Sequence, residues 1–141
     1  MTVYLDTSVL VAYYCPEPLN EKVEAFITAQ MGPKISALTE VEMYSALSKK
    51  VREKLMDRKD ASRVIAQLIS HVDNQYFTYL PVEALHFRLA RDWIGVFKFS
   101  LRTLDALHLA IASSEGLSIA TTDESLVKSA KGLGLTSIFL E

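Results

Sequence analysis

Apolar residues fall along this chain in two alternating rhythms. Short, nearly continuous apolar runs at 3–5, 35–36, 76–79, 119–121 and 137–140 have the length and composition of buried strands. Between them, apolar positions return every three or four residues over 8–14, 21–30, 39–55, 58–72, 82–96, 103–114 and 124–131, which predicts helices. Breakers fall between these segments: Pro16 and Pro18, Gly32 with Pro33, Pro81, Gly116, and Gly132 with Gly134. Strands alternating with helices require crossovers, and right-handed crossovers cover both faces of a parallel sheet. The expected fold is therefore α/β: one three-layer domain over 1–141, with a central parallel sheet of four to five short strands flanked by about seven helices.

Composition narrows the class. Half of the 141 residues are hydrophobic and only 9 are glycine or proline, so the chain can bury a core of its own and is not intrinsically disordered. A single cysteine, Cys15, cannot form an internal bridge, and no Cys/His spacing suits zinc, so a reducing compartment, the cytoplasm, is expected. The longest stretch free of Asp, Glu, Lys and Arg is the ten residues 7–16, so neither a signal peptide nor a membrane span is expected. The net charge of −2 offers no global attraction for nucleic acid, yet 49–63 carries a local +4 and leaves −6 for the remainder.

In a parallel sheet, ligand sites form where the loops leave the carboxyl ends of the strands. Asp6 directly follows the first predicted strand and Asp123 the fourth, so the fold would bring them to one edge although 117 positions separate them. Asp105 stands in the first turn of the apolar helix Leu104-Asp105-Ala106-Leu107-His108-Leu109-Ala110, and Glu40 or Glu42 opens the helix after the second strand. Singly, each has an ordinary explanation. Asp6 and Asp123 suit helix N-caps, and Asp105 suits a first-turn acid behind a Thr103 cap. Together, converging carboxylates repel and desolvate one another unless protonated or neutralised. A hard divalent cation with oxygen-only ligands, Mg²⁺ or Mn²⁺, resolves that conflict and suits phosphodiester hydrolysis. Between the two glutamates, small neighbours (Ser45, Ala46) slightly favour Glu42.

The motifs Tyr4-Leu5-Asp6-Thr7-Ser8-Val9-Leu10-Val11, Ile35-Ser36 through Glu42, Leu101-Arg102-Thr103-Leu104-Asp105-Ala106-Leu107-His108-Leu109-Ala110 and Thr121-Thr122-Asp123, in that order, resemble a PIN-domain ribonuclease. The likeness is to the VapC-like toxins of bacterial and archaeal toxin-antitoxin pairs, and it covers essentially the whole chain. It implies that Asp6, Glu42, Asp105 and Asp123 surround a Mg²⁺ or Mn²⁺ ion, with Asp6 and Asp105 as direct ligands, and it selects Glu42 over Glu40. It places Ser8 and Thr121 as hydroxyls that orient a carboxylate. It also implies hydrolysis of RNA to 5′-phosphate and 3′-hydroxyl ends, a homodimer, and a small cognate antitoxin covering the cleft. One departure is Leu126, where the family often carries an aromatic residue.

Phosphate contact is expected from Arg102, three residues before Asp105, and from Lys49, Lys50 and Arg52 in the basic segment, for which a solvated helical face is an equal alternative. His108 is expected to be a hydrogen-bonded structural histidine rather than a base, and His71 and His86 show no partner pattern. Trp93, Phe97, Phe99, Tyr13 and Tyr14 could stack bases, but helical spacing favours burial or an interface, with the core as the default expectation. The segments 25–27 and 41–47 are candidate contact surfaces. Two other phosphate chemistries fail on their motifs: a haloacid-dehalogenase-type phosphatase needs an Asp where Ser8 stands, and a GTPase needs a glycine-rich loop with its lysine. The alternative from another class is a catalytically silent PIN-like scaffold acting through protein contacts. Retention of all four acids argues against it.

Overall fold

The central sheet has the strand order β3-β2-β1-β4-β5, and every neighbouring pair runs parallel. A computed structural model describes residues 2–141. Along the chain the elements are β1 (Val3–Leu5), α1 (Thr7–Tyr14), α2 (Asn20–Thr28), β2 (Lys34–Ser36), α3 (Ala37–Arg52), α4 (Arg58–Asp73), β3 (Thr78–Leu80), α5 (Ala84–Ile94), α6 (Thr103–Ser114), β4 (Ser118–Thr121), α7 (Glu124–Gly132) and β5 (Ser137–Phe139). The expected three-layer α/β domain is what forms, with five strands. Among the described residues no helix is long and apolar enough to cross a membrane.

Strand periodicity divides the core in two. Val3, Leu5, Ile35 and Ala120 face one side and pack with Val9, Leu10, Met43, Leu47, Leu68 and Phe77. Tyr4 and Ile119 face the other and pack with α6 residues Leu107 to Ile111, Leu126 and Ala130. Leu126 is 1% exposed, so leucine fills the place where the family often has an aromatic ring. The central position of β1 matters most: Leu5 pairs with Ala120, and the Asp6 amide then donates to the Ala120 carbonyl at 2.9 Å. That bond carries the β1–β4 register one residue past the strand and fixes where Asp6 leaves the sheet.

Several boundaries differ from the sequence expectation, each for a local reason. Helix α3 begins at Ala37 because Ser36 and Thr39 form a reciprocal capping box, and it stops at Arg52 because Lys54 turns to φ +60°. A lysine there is no stop signal. Helix α5 starts after Glu83, whose amide donates to His86 Nδ1, and ends before Gly95. Tyr76 still folds back onto the His71 carbonyl at 2.8 Å, so β3 begins at Thr78.

Side-chain expectations are corrected in the same way. His71 and His86 both have partners: Tyr14 Oη donates to His71 Nδ1 at 2.5 Å within a cluster including Tyr13, Tyr76 and Phe77. Burial pushes the His71 imidazole below its ordinary value, which suits an accepting ring nitrogen. Phe97 is 90% exposed, not core, because it follows the end of α5 at φ +56°. In 25–27, Ile27 is buried and Phe26 packs on the first core, so that segment is no free surface. In 41–47, Met43 and Leu47 point inward while Val41 and Tyr44 are exposed.

Leu47→Ala should lower the unfolding free energy from urea titration by about 2–5 kcal/mol through transfer and cavity losses. Val41→Ala, on the outer face of the same helix, should stay within about 0.5 kcal/mol of the unmutated chain.

Candidate active site

Four helix N-termini, those of α1, α3, α6 and α7, and the ends of three strands meet at the carboxyl edge of the sheet, and the acids come from there. Asp6 occupies the N-cap position of α1 and is buried, but its carboxylate makes no capping bond. Instead Oδ2 accepts from Ser8 Oγ at 2.7 Å and from Thr121 Oγ1 at 2.9 Å. Both hydroxyls are themselves held: Ser8 Oγ accepts from the Thr122 amide at 3.1 Å, and Thr121 Oγ1 from the Asp123 amide at 3.0 Å. Because each hydroxyl has one proton, the backbone donors leave that proton for Asp6. Ser8 and Thr121 thus orient the carboxylate and tie the β1–α1 turn to the β4–α7 turn. Asp6 Oδ1 is left facing His108 Nε2 at 3.8 Å.

Asp123 does cap its helix, accepting from the Ser125 amide at 2.9 Å, and it is exposed. Asp105 is half-buried in the first turn of α6, whose N-cap is Arg102 and not Thr103. Burial raises the Asp105 carboxyl above the ordinary aspartate range, and the charges of Asp6, Asp123 and Glu42 raise it further, with only His108 opposing. All four acids therefore share one electrostatic neighbourhood. Among the described residues no lysine or arginine pairs with any of them.

Glu42, half-buried on the second turn of α3, points into this neighbourhood, whereas Glu40 accepts from Tyr79 Oη at 3.4 Å elsewhere. Glu42 Oε1 accepts from Thr7 Oγ1 at 2.8 Å and bonds His108 Nε2. Burial alone would raise this carboxyl, but the His108 bond, the His108 charge and the Thr7 hydroxyl together hold it below the ordinary glutamate value. His108 is the hydrogen-bonded histidine expected, and its bond to Glu42 places it against the acids. Thr7 carried no signal in the sequence. His108 did carry one, as the polar residue on an otherwise uniformly buried apolar helix face.

The basic residues sit at different distances from this edge. Arg102 is exposed one turn before Asp105. Helix α3 starts at the edge and runs away from it, so Lys49, Lys50 and Arg52 lie roughly 10–15 Å further along its axis than Glu42. Lys50 pairs with Glu17 at 3.4 Å, Arg52 Nη1 donates to Ser48 Oγ at 2.7 Å, and Lys49 is exposed.

Among the described residues, no three His, Cys, Asp or Glu side chains are close enough to hold a metal between them. A closed protein cage is therefore absent. What remains is a group of oxygen donors without a lysine or arginine partner, in which the neighbouring carboxylates raise the proton affinity of Asp105. That arrangement fits a hard cation bound through one or two carboxylates and otherwise through water.

Residues 3–132 match the PIN domain family. The chain is 32% identical over 140 residues to Ribonuclease VapC46 of Mycobacterium tuberculosis, covering 96% of this chain and 95% of that protein. Its fold is similar to that of FitAcB from Neisseria gonorrhoeae, with a TM-score of 0.71 at 20% identity over 98% of this chain and 96% of that one. It is also similar to VapBC2 from Rickettsia felis, solved bound to a DNA fragment from their promoter, with a TM-score of 0.72 at 15% identity over the full length of both chains.

Crowding at Asp105 has a stability consequence. Its folded pKa lies above the unfolded value, so its ionisation opposes folding: the stability is present below the unfolded pKa and lost as pH rises through the folded one. In metal-free buffer at pH 7, Asp105→Asn should raise the melting temperature by about 2–4 °C. The gain should shrink as pH falls through about 4 and vanish near about pH 3, where the aspartate is protonated in both the folded and the unfolded chain.

Proposed function

Because this chain belongs to the PIN-domain family, we propose that it is a metal-dependent endoribonuclease of the VapC kind, the toxin of a toxin-antitoxin pair. The observation that carries the reading is the group of four acids at the sheet edge, uncompensated by any lysine or arginine among the described residues, in a chain 32% identical to a named ribonuclease. Asp6 and Asp105 are assigned as the direct ligands of Mg²⁺ or Mn²⁺. Asp6 suits that role because two hydroxyls saturate Oδ2 and leave Oδ1 without a hydrogen bond, pre-set rather than mobile. Asp105 suits it because a cation would relieve the repulsion that raises its carboxyl. When bound, the ion would supply a water of lowered pKa and offset charge on the scissile phosphate.

The chain's own groups do the rest. Glu42 and Asp123 flank the ligands and add negative potential that favours the cation and holds polar hydrogens of water at the edge. Ser8 and Thr121 keep Asp6 aimed. Arg102, exposed on the approach to Asp105, is placed to hold a phosphate of the RNA strand, its planar fork suited to two oxygens. Lys49, Lys50 and Arg52 lie too far along α3 to meet the same phosphate, so any contribution they make is to the flanking strand. The proposed partners are a small antitoxin seated over the acidic edge and a second copy of the chain, and the proposed setting is the cytoplasm. Similarity of fold to VapBC2 supports the antitoxin partner.

Asp6→Asn should reduce cleavage of single-stranded RNA by more than about 100-fold, a barrier increase above ~2.7 kcal/mol, with folding intact by circular dichroism. Asp105→Asn should do the same, whereas Glu40→Gln, outside the cluster, should leave the rate unchanged. Sequencing of the cut ends should show 5′-phosphate and 3′-hydroxyl termini. Full activity in the Asp6/Asp105 double variant would exclude this site.

A further inference from the structure

One hydrogen-bonded chain beneath the acids is unexplained by packing. Tyr4 is fully buried in the middle of β1, where a phenylalanine would fill the same space without needing partners. Its Oη nevertheless meets Ser36 Oγ at 2.8 Å, Thr39 Oγ1 at 3.2 Å and His108 Nδ1 at 2.6 Å. His108, 1% exposed, is a lone imidazole on a helix whose neighbours Ala106, Leu107, Leu109, Ala110, Ile111 and Ala112 are all buried and apolar. Two polar groups withdrawn from water in this way are tolerated only because each is bonded. At one end the chain of bonds is anchored on the Ser36–Thr39 capping box, and at the other it ends on the carboxylate of Glu42.

We propose that Tyr4 and His108 are positioning residues that fix Glu42, so that Glu42 presents a single free oxygen to the reaction site. The argument rests on the nuclease reading above. Tyr4 Oη bonds His108 Nδ1 at 2.6 Å and so holds the imidazole ring from the side opposite Glu42. Because a carboxylate oxygen only accepts, the other ring nitrogen, Nε2, donates to Glu42 Oε1, which also accepts from Thr7 Oγ1 at 2.8 Å. With Oε1 doubly occupied, Oε2 remains. A glutamate has three rotatable side-chain bonds, and the two donors stop Glu42 from sampling them. Each element of the brace also carries one of the acids: β1 holds Tyr4 and leads into Asp6, α3 holds Thr39 and Glu42, and α6 holds His108 and Asp105. The same bonds therefore set the spacing between elements that supply three of the four carboxylates. Glu40, two residues away, meets none of these donors, which is why one glutamate of the pair belongs to the site.

The test uses Tyr4→Phe, His108→Leu, His108→Gln and Glu42→Gln, with doubles, and two readouts: RNA cleavage kinetics and Mn²⁺ affinity of the protein alone by electron paramagnetic resonance. Metal-free thermal unfolding confirms that each variant is folded. Tyr4→Phe and His108→Leu should lower kcat and weaken Mn²⁺ binding, by about 10–100-fold in one or the other, with KM unchanged. Neither should add to the loss already caused by Glu42→Gln, because both act through that carboxylate. His108→Gln, whose amide can donate from a similar position, should recover most of the rate. Losses that add fully to Glu42→Gln, that scale only with the unfolded fraction, or that are absent while the unmutated chain cuts RNA would overturn the brace alone. An unmutated chain that neither binds Mn²⁺ nor cuts RNA would overturn the nuclease reading and the brace with it.

Discussion

Like charges held together without a lysine or arginine to offset them are the constraint around which this fold is arranged. Burial and the charges of Asp6, Asp123 and Glu42 raise the Asp105 carboxyl, His108 stands against Asp6 and Glu42, and no lysine or arginine within the described residues pairs with any of the four. Such a group is tolerated because its members are fixed by separate elements that pack for other reasons. Two apolar layers, one on each face of the sheet, hold β1, α3, α6 and β4 in place. The parallel arrangement then delivers every strand end and every following helix start to a single edge. The cores supply the stability and the edge carries the strain.

The same residue type does different work along that edge. Asp6 and Asp123 both stand at N-caps, yet Asp123 makes the capping bond and Asp6 does not. The difference comes from the hydroxyls: Ser8 and Thr121 draw the Asp6 carboxylate inward, and backbone amides hold those hydroxyls in turn. Asp6 gives up the cap and gains a fixed orientation. Asp123 keeps its cap and contributes charge from a more exposed position. An acid can therefore serve the helix dipole and the site together, and the two explanations open at the level of sequence are not exclusive.

Much of this was legible before the structure. Strand and helix spacing was sufficient for the layers, and the positions of Asp6 and Asp123 directly after strands followed from parallel topology alone. Helix α6 matched its expected span of 103–114, because an apolar helix between Arg102 and Gly116 leaves little choice. Ends set by backbone geometry were less legible. Lys54, Gln75 and Phe97 adopt positive φ without being glycine, so α3 and α5 stop, and β3 starts, where composition gives no warning. Helical spacing favours Phe97 in the core or at an interface, and it lies outside the core because the chain reverses there at positive φ.

The sequence by itself determined which elements form and which acids leave the sheet at its carboxyl edge, since hydrophobic period and strand-to-helix order are local properties. Only the tertiary structure decided how the side chains of that edge are oriented. Glu42 rather than Glu40 faces the acids because Thr7 and His108 offer it donors, and those donors come from α1 and α6, 35 and 66 residues away along the chain. Tyr4 joins them from β1, and a strand tyrosine at a core position looks in sequence like any other buried ring. Hydrogen bonds between distant elements depend on register and packing to within a few tenths of an ångström, and no local pattern encodes that distance.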